Sequence, residues 1–141
     1  MDKKFEAINL TYQSAKSIIT VIDNFVLDIK NEKLQKLCTK TLNELEVIAD
    51  ECRLIMKSNK LEIEDIGFFE KYQNLISLKI ANLKKKTTFE IASNIYLSVV
   101  ETLPNLYKAL SENEETSEIV KKLISLNEDF SQNLKKFFIA S

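Results

Sequence analysis

The chain of 141 residues carries 20 basic and 21 acidic side chains, and it contains one glycine, one proline and no histidine. So few turn-forming residues exclude a β-sandwich or barrel and the glycine-rich phosphate loops of nucleotide-binding proteins. The missing histidine excludes Ser–His and Cys–His nucleophile pairs. A net charge of −1 does not favour nucleic-acid binding, which usually needs a basic face. We therefore expect no cofactor, no nucleic acid and no catalysis.

The distribution of apolar residues predicts one globular domain over residues 1–141. No stretch approaches the roughly 18 uncharged apolar residues of a membrane-spanning helix, so we expect no membrane insertion. The first residues lack the apolar core of a signal peptide, which favours a cytoplasmic location. Many Lys, Asn, Ile and Leu residues and a single arginine, Arg53, are typical of AT-rich bacterial genomes.

Apolar residues alternate at steps of three and four over the first 60 residues, which is the spacing of one helix face. The pattern predicts helices over 3–28 and 32–58, with Asn31 as the N-cap of the second. Cys38 and Cys52 fall on the buried face of this second helix. They are separated by about 21 Å of helix rise, too far for a disulfide, so we interpret them as buried structural thiols.

The same spacing predicts a shorter helix over 65–85 and two further long helices over 88–111 and 117–138. Thr87 and Glu90 form a capping-box pattern at the start of the first of these long helices. Its periodicity continues through Pro104, so we expect a kink near Val100 to Leu103 and a helix that continues beyond it. The predicted fold is all-α: an antiparallel four-helix bundle with a partly helical crossover between its second and third helices.

Four polar residues fall on otherwise apolar helix faces and are predicted to be buried: Tyr12, Thr41, Thr102 and Asn127. The threonines can bond to their own helix backbone, whereas the Asn127 amide needs another partner. Asn127 is open to two interpretations, an interhelical hydrogen bond that fixes the register of the helices or part of a small polar pocket. We favour the hydrogen bond.

Two apolar clusters are candidate interfaces. Phe68 and Phe69 stand together near Gly67, where packing within the crossover is the alternative interpretation. Phe137, Phe138 and Ile139 are consecutive, so they cannot all face one bundle core. At least one of these three side chains is expected to be exposed or to contact another subunit.

The stretch 91–138, which closes on Leu-Lys-Lys-Phe at 134–137, resembles the C-terminal half of small ferritin-like and spore-coat-like proteins of Gram-positive anaerobes. The first 60 residues are similar to their N-terminal hairpin. The resemblance implies a ferritin-like plan, in which active members hold two metal ions with inward glutamates and Glu-x-x-His motifs. Without histidine, the nearest remnants are Glu46, Glu101 and Glu128, none of which lies on a buried helix face.

These observations lead to three hypotheses of function. The first is a non-catalytic structural or protein-interaction bundle, a degenerate ferritin-like protein that self-associates, for example as a homodimer. The second is a metal-binding bundle that uses only the carboxylates Glu46, Glu101 and Glu128. The third is a helical adaptor or chaperone that binds a partner helix in a groove.

Overall fold

The computed structural model describes residues 3–61, 87–112, 114–115 and 117–139, and the regular elements in these ranges are all helices, without a β-strand. The long helices are α1 (Lys3–Phe25), α2 (Glu32–Ser58), α3 (Thr88–Glu112) and α4 (Ser117–Leu134). The predicted all-α class is thereby confirmed. The helix predicted over 65–85, together with Phe68 and Phe69, lies outside the described residues.

The turn between α1 and α2 begins earlier than the sequence predicts. The α-helical bonding of α1 ends at Phe25 instead of Asp28, and Val26–Asp28 form a tighter 3₁₀ turn. Such turns commonly close helix ends, because they satisfy terminal carbonyl groups over a shorter span. The predicted N-cap of α2 is confirmed, since the Asn31 side chain accepts a hydrogen bond from the Leu34 N–H at 3.1 Å.

The end of α2 is closed by a Schellman motif. The N–H of Leu61 donates to the Met56 carbonyl at 2.9 Å, and the N–H of Lys60 donates to the Lys57 carbonyl at 3.0 Å. Lys60 has φ 56°, the left-handed conformation that glycine usually provides at this position. The helix therefore stops at Ser58, beside the Asn59 cap.

The ends of α3 and α4 follow the sequence pattern with two differences. The N–H of Glu90 donates to the Thr87 hydroxyl at 3.2 Å, as a capping box requires, but the Glu90 carboxylate meets that same hydroxyl instead of the Thr87 backbone. Helix α3 continues past Pro104, as predicted. The α-helical bonding of α4 ends at Leu134 instead of residue 138, and Lys135–Phe137 continue as a 3₁₀ turn.

The four helices pack around a shared apolar core. Among the described residues, extensive contacts join every pair of long helices except α2 with α3. Two surface ion pairs fix which helix ends lie together: Lys4 at the start of α1 contacts Glu115 just before α4 at 3.5 Å, and Lys122 of α4 contacts Glu51 of α2 at 3.2 Å. The largest fully buried side chains belong to all four helices and include Ile18, Ile22, Leu45, Ile95, Leu106 and Phe130.

Helix α1 is the most deeply enclosed of the four. The five consecutive residues from Thr11 to Ala15 are all buried, and so are Ser17, Ile18 and Ile19. A helix that packs on one side alone would leave residues in such a run exposed. Its neighbours α2, α3 and α4 each contact it. None of the described helices is both long enough and apolar enough to cross a membrane.

Candidate functional site

The α3–α4 contact contains a buried polar pair. The Asn127 side-chain Nδ2 donates to the Thr102 hydroxyl at 2.9 Å, and that hydroxyl donates to the Val99 carbonyl at 2.6 Å. Asn127 is completely buried, and Thr102 is nearly so. The amide thus links two helices, which is the arrangement that the register interpretation requires.

One atom of this pair lacks a hydrogen bond. Asn127 Oδ1 is buried and has no partner among the described residues. A buried acceptor left unpaired costs about 1–3 kcal/mol relative to its hydrated state. The amide is therefore satisfied on one side only, and the pair contributes more to the specific alignment of α3 and α4 than to overall stability.

A second polar contact joins α1 to α2. The Tyr12 ring is buried, but its hydroxyl reaches the bundle surface, where it accepts from Arg53 Nε at 3.2 Å and from Arg53 Nη2 at 2.8 Å. The guanidinium also lies 5.1 Å from the centre of the Tyr12 ring and forms an ion pair with Asp50 at 3.0 Å. The hydrogen bonds that Arg53 donates to the Tyr12 hydroxyl raise the pKa of Arg53, and desolvation opposes that change.

Helix α2 contributes a buried face with two thiols. Thr41, Cys38 and Cys52 are all buried, and the two cysteines are free thiols that do not form a disulfide. Burial raises the pKa of both thiols from 9.0 to about 12, and nearby Glu51 adds to the effect at Cys52. Both groups are neutral thiols at neutral pH, so neither has the thiolate character of a reactive cysteine.

The candidate metal carboxylates do not converge. Glu101 is exposed, whereas Glu46 and Glu128 are half-buried. Glu128 accepts a hydrogen bond from the Tyr107 hydroxyl, which raises the pKa of Tyr107. Over the described ranges, no group of three or more Asp, Glu, Cys or His side chains is placed to hold a metal ion. The described residues therefore do not fit the two-metal centre that the ferritin-like resemblance implies.

The C-terminal apolar cluster packs against the start of α3. Phe138 contacts the edge of Tyr96 with ring centres 5.2 Å apart and that of Phe89 at 5.8 Å. Phe137 and Phe138 are half-buried, whereas Ile139 is 81% exposed and Phe89 is 53% exposed. We call Phe89, Tyr96, Phe138 and Ile139 the aromatic patch. Phe138 and Ile139 are predicted interface residues, whereas the sequence pattern does not identify Phe89 and Tyr96.

The residues missed by sequence reasoning share one property, which is that their roles depend on a partner far along the chain. Arg53 stands 41 positions from Tyr12, and Phe89 stands far from Phe138. The only signal available in advance was that Arg53 is the sole arginine and that Phe89 and Tyr96 are seven residues apart on one helix face. Neither signal identifies the partner.

Comparison of the chain with protein-family models, with curated proteins and with solved structures gives no match.

Replacing Asn127 by leucine is expected to raise the free energy of unfolding by about 1 kcal/mol, because the variant removes an unpaired buried acceptor and leaves Thr102 bonded to Val99. Thr102→Val is the matched comparison, since it leaves the Asn127 amide without an acceptor and should cost about 1–3 kcal/mol. Urea denaturation followed by circular dichroism measures both. A loss of stability in Asn127→Leu as large as that in Thr102→Val would contradict this interpretation.

Tyr12→Phe should lower the free energy of unfolding by about 1 kcal/mol, because it removes the acceptor of two Arg53 N–H groups while keeping the buried ring. Tyr107→Phe is the control: it removes a hydroxyl that also bonds a charged side chain, but at an exposed site where such contacts contribute little. Thermal and urea denaturation of both variants test the difference. Equal effects of the two substitutions would show that the Tyr12–Arg53 contact contributes no more to stability than an exposed hydrogen bond.

The two thiols should be unreactive towards a disulfide reagent at pH 8 in the native protein and both reactive in denaturant. Because folding raises their pKa from 9.0 to about 12, unfolded thiols lose protons first and the free energy of unfolding falls as pH rises through that interval. A Cys38→Ala/Cys52→Ala variant separates the contribution of the two thiols to this pH dependence from the contribution of lysine and tyrosine side chains. An unchanged pH dependence in this variant would contradict the assignment.

Proposed function

We propose that the chain is a non-catalytic helical bundle, built on a degenerate ferritin-like plan, that self-associates through the aromatic patch. The observation that carries this proposal is the exposure of two large apolar side chains that each adjoin Phe138: Phe89, whose ring contacts that of Phe138, is 53% exposed, and Ile139, the next residue in the chain, is 81% exposed. The proposed partner is a second copy of the chain.

The helix contacts support the bundle plan. Two pairs of helices adjacent in sequence, α1 with α2 and α3 with α4, are joined by extensive contacts, and α1 with α3 and α2 with α4 contact across the pairs. The ion pair between Lys4 and Glu115 brings the start of α1 close to the end of α3, which supports an antiparallel arrangement of these two neighbours. Two hairpins arranged side by side in this way are compatible with a ferritin-like bundle.

The composition of the patch supports an interface. Interface cores are enriched in aromatic side chains, and the patch presents Phe89, Tyr96 and Phe138 on two well-packed helix ends. The Lys135 ammonium lies 5.8 Å from the centre of the Tyr96 ring and provides a charged border. Phe138 already packs against the core, so its side chain loses little additional conformational entropy when a second copy binds.

The lack of converging carboxylates supports a role without metal chemistry. The described residues offer no group of acidic or thiol side chains suited to a metal ion, and the buried hydroxyl groups of Ser98 and Thr102 on α3 donate to carbonyl groups of their own helix. Nothing in this arrangement favours the carboxylate-only metal hypothesis over association.

Sedimentation equilibrium over a range of protein concentrations tests the proposal. We expect a reversible homodimer in the unaltered chain. A Phe89→Ser/Ile139→Ser variant should weaken dimerisation by more than tenfold, since losing central apolar contacts at an interface typically costs about 2 kcal/mol or more. Leu54→Ser is the matched control, because Leu54 is 66% exposed on α2, away from the patch.

Two results would overturn this function. One is a strict monomer at every concentration, which would favour the adaptor hypothesis instead. The other is weakening by Leu54→Ser as large as that by the patch variant, which would place the contact elsewhere. Circular dichroism of each variant, matched to the unaltered chain, shows that the folded bundle is being compared.

A further inference from the structure

A cavity of about 330 Å³ opens at the end of the bundle opposite the aromatic patch, where the start of α1, the end of α2 and the start of α4 meet. Its apolar lining comes from Phe5 and Ile8 of α1, Ile55 of α2 and Ile119 of α4. Ile8 and Ile119 belong to the buried core, so this surface is continuous with it. Clefts between the helices of bundles are common ligand sites, and about 300–1,000 Å³ is their usual size.

The rim of the cavity is charged and contains two ion pairs between elements. Lys4 contacts Glu115 at 3.5 Å, and Lys122 contacts Glu51 at 3.2 Å. Glu118 in the first turn of α4 adds a third carboxylate, so the lining carries three acidic and two basic side chains. Both lysines already have an acidic partner, and the surplus charge of the rim is negative.

We propose that this cavity binds a small amphipathic cation, meaning a protonated amine on a short apolar body. The apolar body would lie on Phe5 and Ile55, and its removal from water provides most of the affinity. The ammonium would meet the Glu118 carboxylate at the rim. An anion would have to displace Glu51 or Glu115 from its lysine, whereas a cation adds to the existing pairs.

The Phe5 ring already carries one ammonium group. The Lys4 ammonium lies 4.9 Å from the centre of that ring, within the range of a cation–π contact. The ammonium group of the ligand would therefore lie at Glu118 and not on the ring, so that the two positive charges stay apart. An amine ligand would bring a second positive charge to a surface whose carboxylates outnumber its lysines.

The test is a titration of the full chain with hexylammonium chloride, followed by backbone amide shifts in ¹H–¹⁵N NMR spectra, with hexanol and hexanoate as matched probes. We expect saturable shifts at the start of α1, the end of α2 and the start of α4, and weaker binding of both comparison probes. Glu118→Gln should weaken hexylammonium binding by about 1.5- to fivefold, the usual range for an exposed charge pair. Glu44→Gln, an exposed carboxylate elsewhere on α2, should leave it unchanged.

Each of the following results overturns the proposal: hexylammonium gives no saturable shifts, hexanoate or hexanol binds as tightly as the amine, or Glu118→Gln leaves the affinity unchanged. Shifts confined to residues outside the cavity would also overturn it. Because Glu118 is exposed, the substitution is expected to leave the fold intact, and the dispersion of the same spectra checks this directly.

Discussion

The structure depends on enclosing α1 among the other helices. A helix surrounded by protein must either be apolar on all sides or satisfy its polar groups without water. At several positions of helix α1, polar side chains are satisfied by bonds within the helix. The Thr11 hydroxyl donates to the Ala7 carbonyl at 2.8 Å, and the Ser17 hydroxyl donates to the Ser14 carbonyl at 2.8 Å. Hydroxyl groups that bond within their own turn need nothing from a neighbouring helix, which lets apolar side chains of α2, α3 and α4 pack closely around them.

That constraint leaves few buried polar groups in the described helices to align one helix with another, so the contacts of Tyr12 and Asn127 become specific. Tyr12 ties α1 to α2 at the bundle surface, and Asn127 ties α3 to α4 inside the core. Apolar packing alone tolerates small shifts along a helix axis, whereas each of these hydrogen bonds exists in one register only. Each hairpin thus contains a polar contact of a buried residue that fixes its register, and the packing of α1 against α3 then joins the two hairpins.

Sequence periodicity predicts the helices well because it reports which face of each one meets the core. It gives α2 its bounds and identifies Asn31 as the cap, since both depend on residues close in sequence. It does not predict the burial of Ser14 and Ser17 on α1. Apolar residues spaced three and four apart identify the principal buried face of a helix but give no information about a second buried face. Sequence periodicity also does not predict the Phe89–Phe138 contact, because this contact depends on how α3 and α4 pack.

The two ends of α4 carry different chemistry, and this separates the two proposals. The aromatic patch adjoins its last turn, and the mixed-charge cavity adjoins its first, about 27 Å away for a helix of 18 residues. Surface charges that far apart are largely screened at physiological salt, so a substitution at one end does not act electrostatically on the other. Coupling between the ends would require the rigid, well-packed core to shift, and the Asn127–Thr102 contact near the middle of α4 opposes such sliding. Self-association and amine binding are therefore expected to be thermodynamically independent.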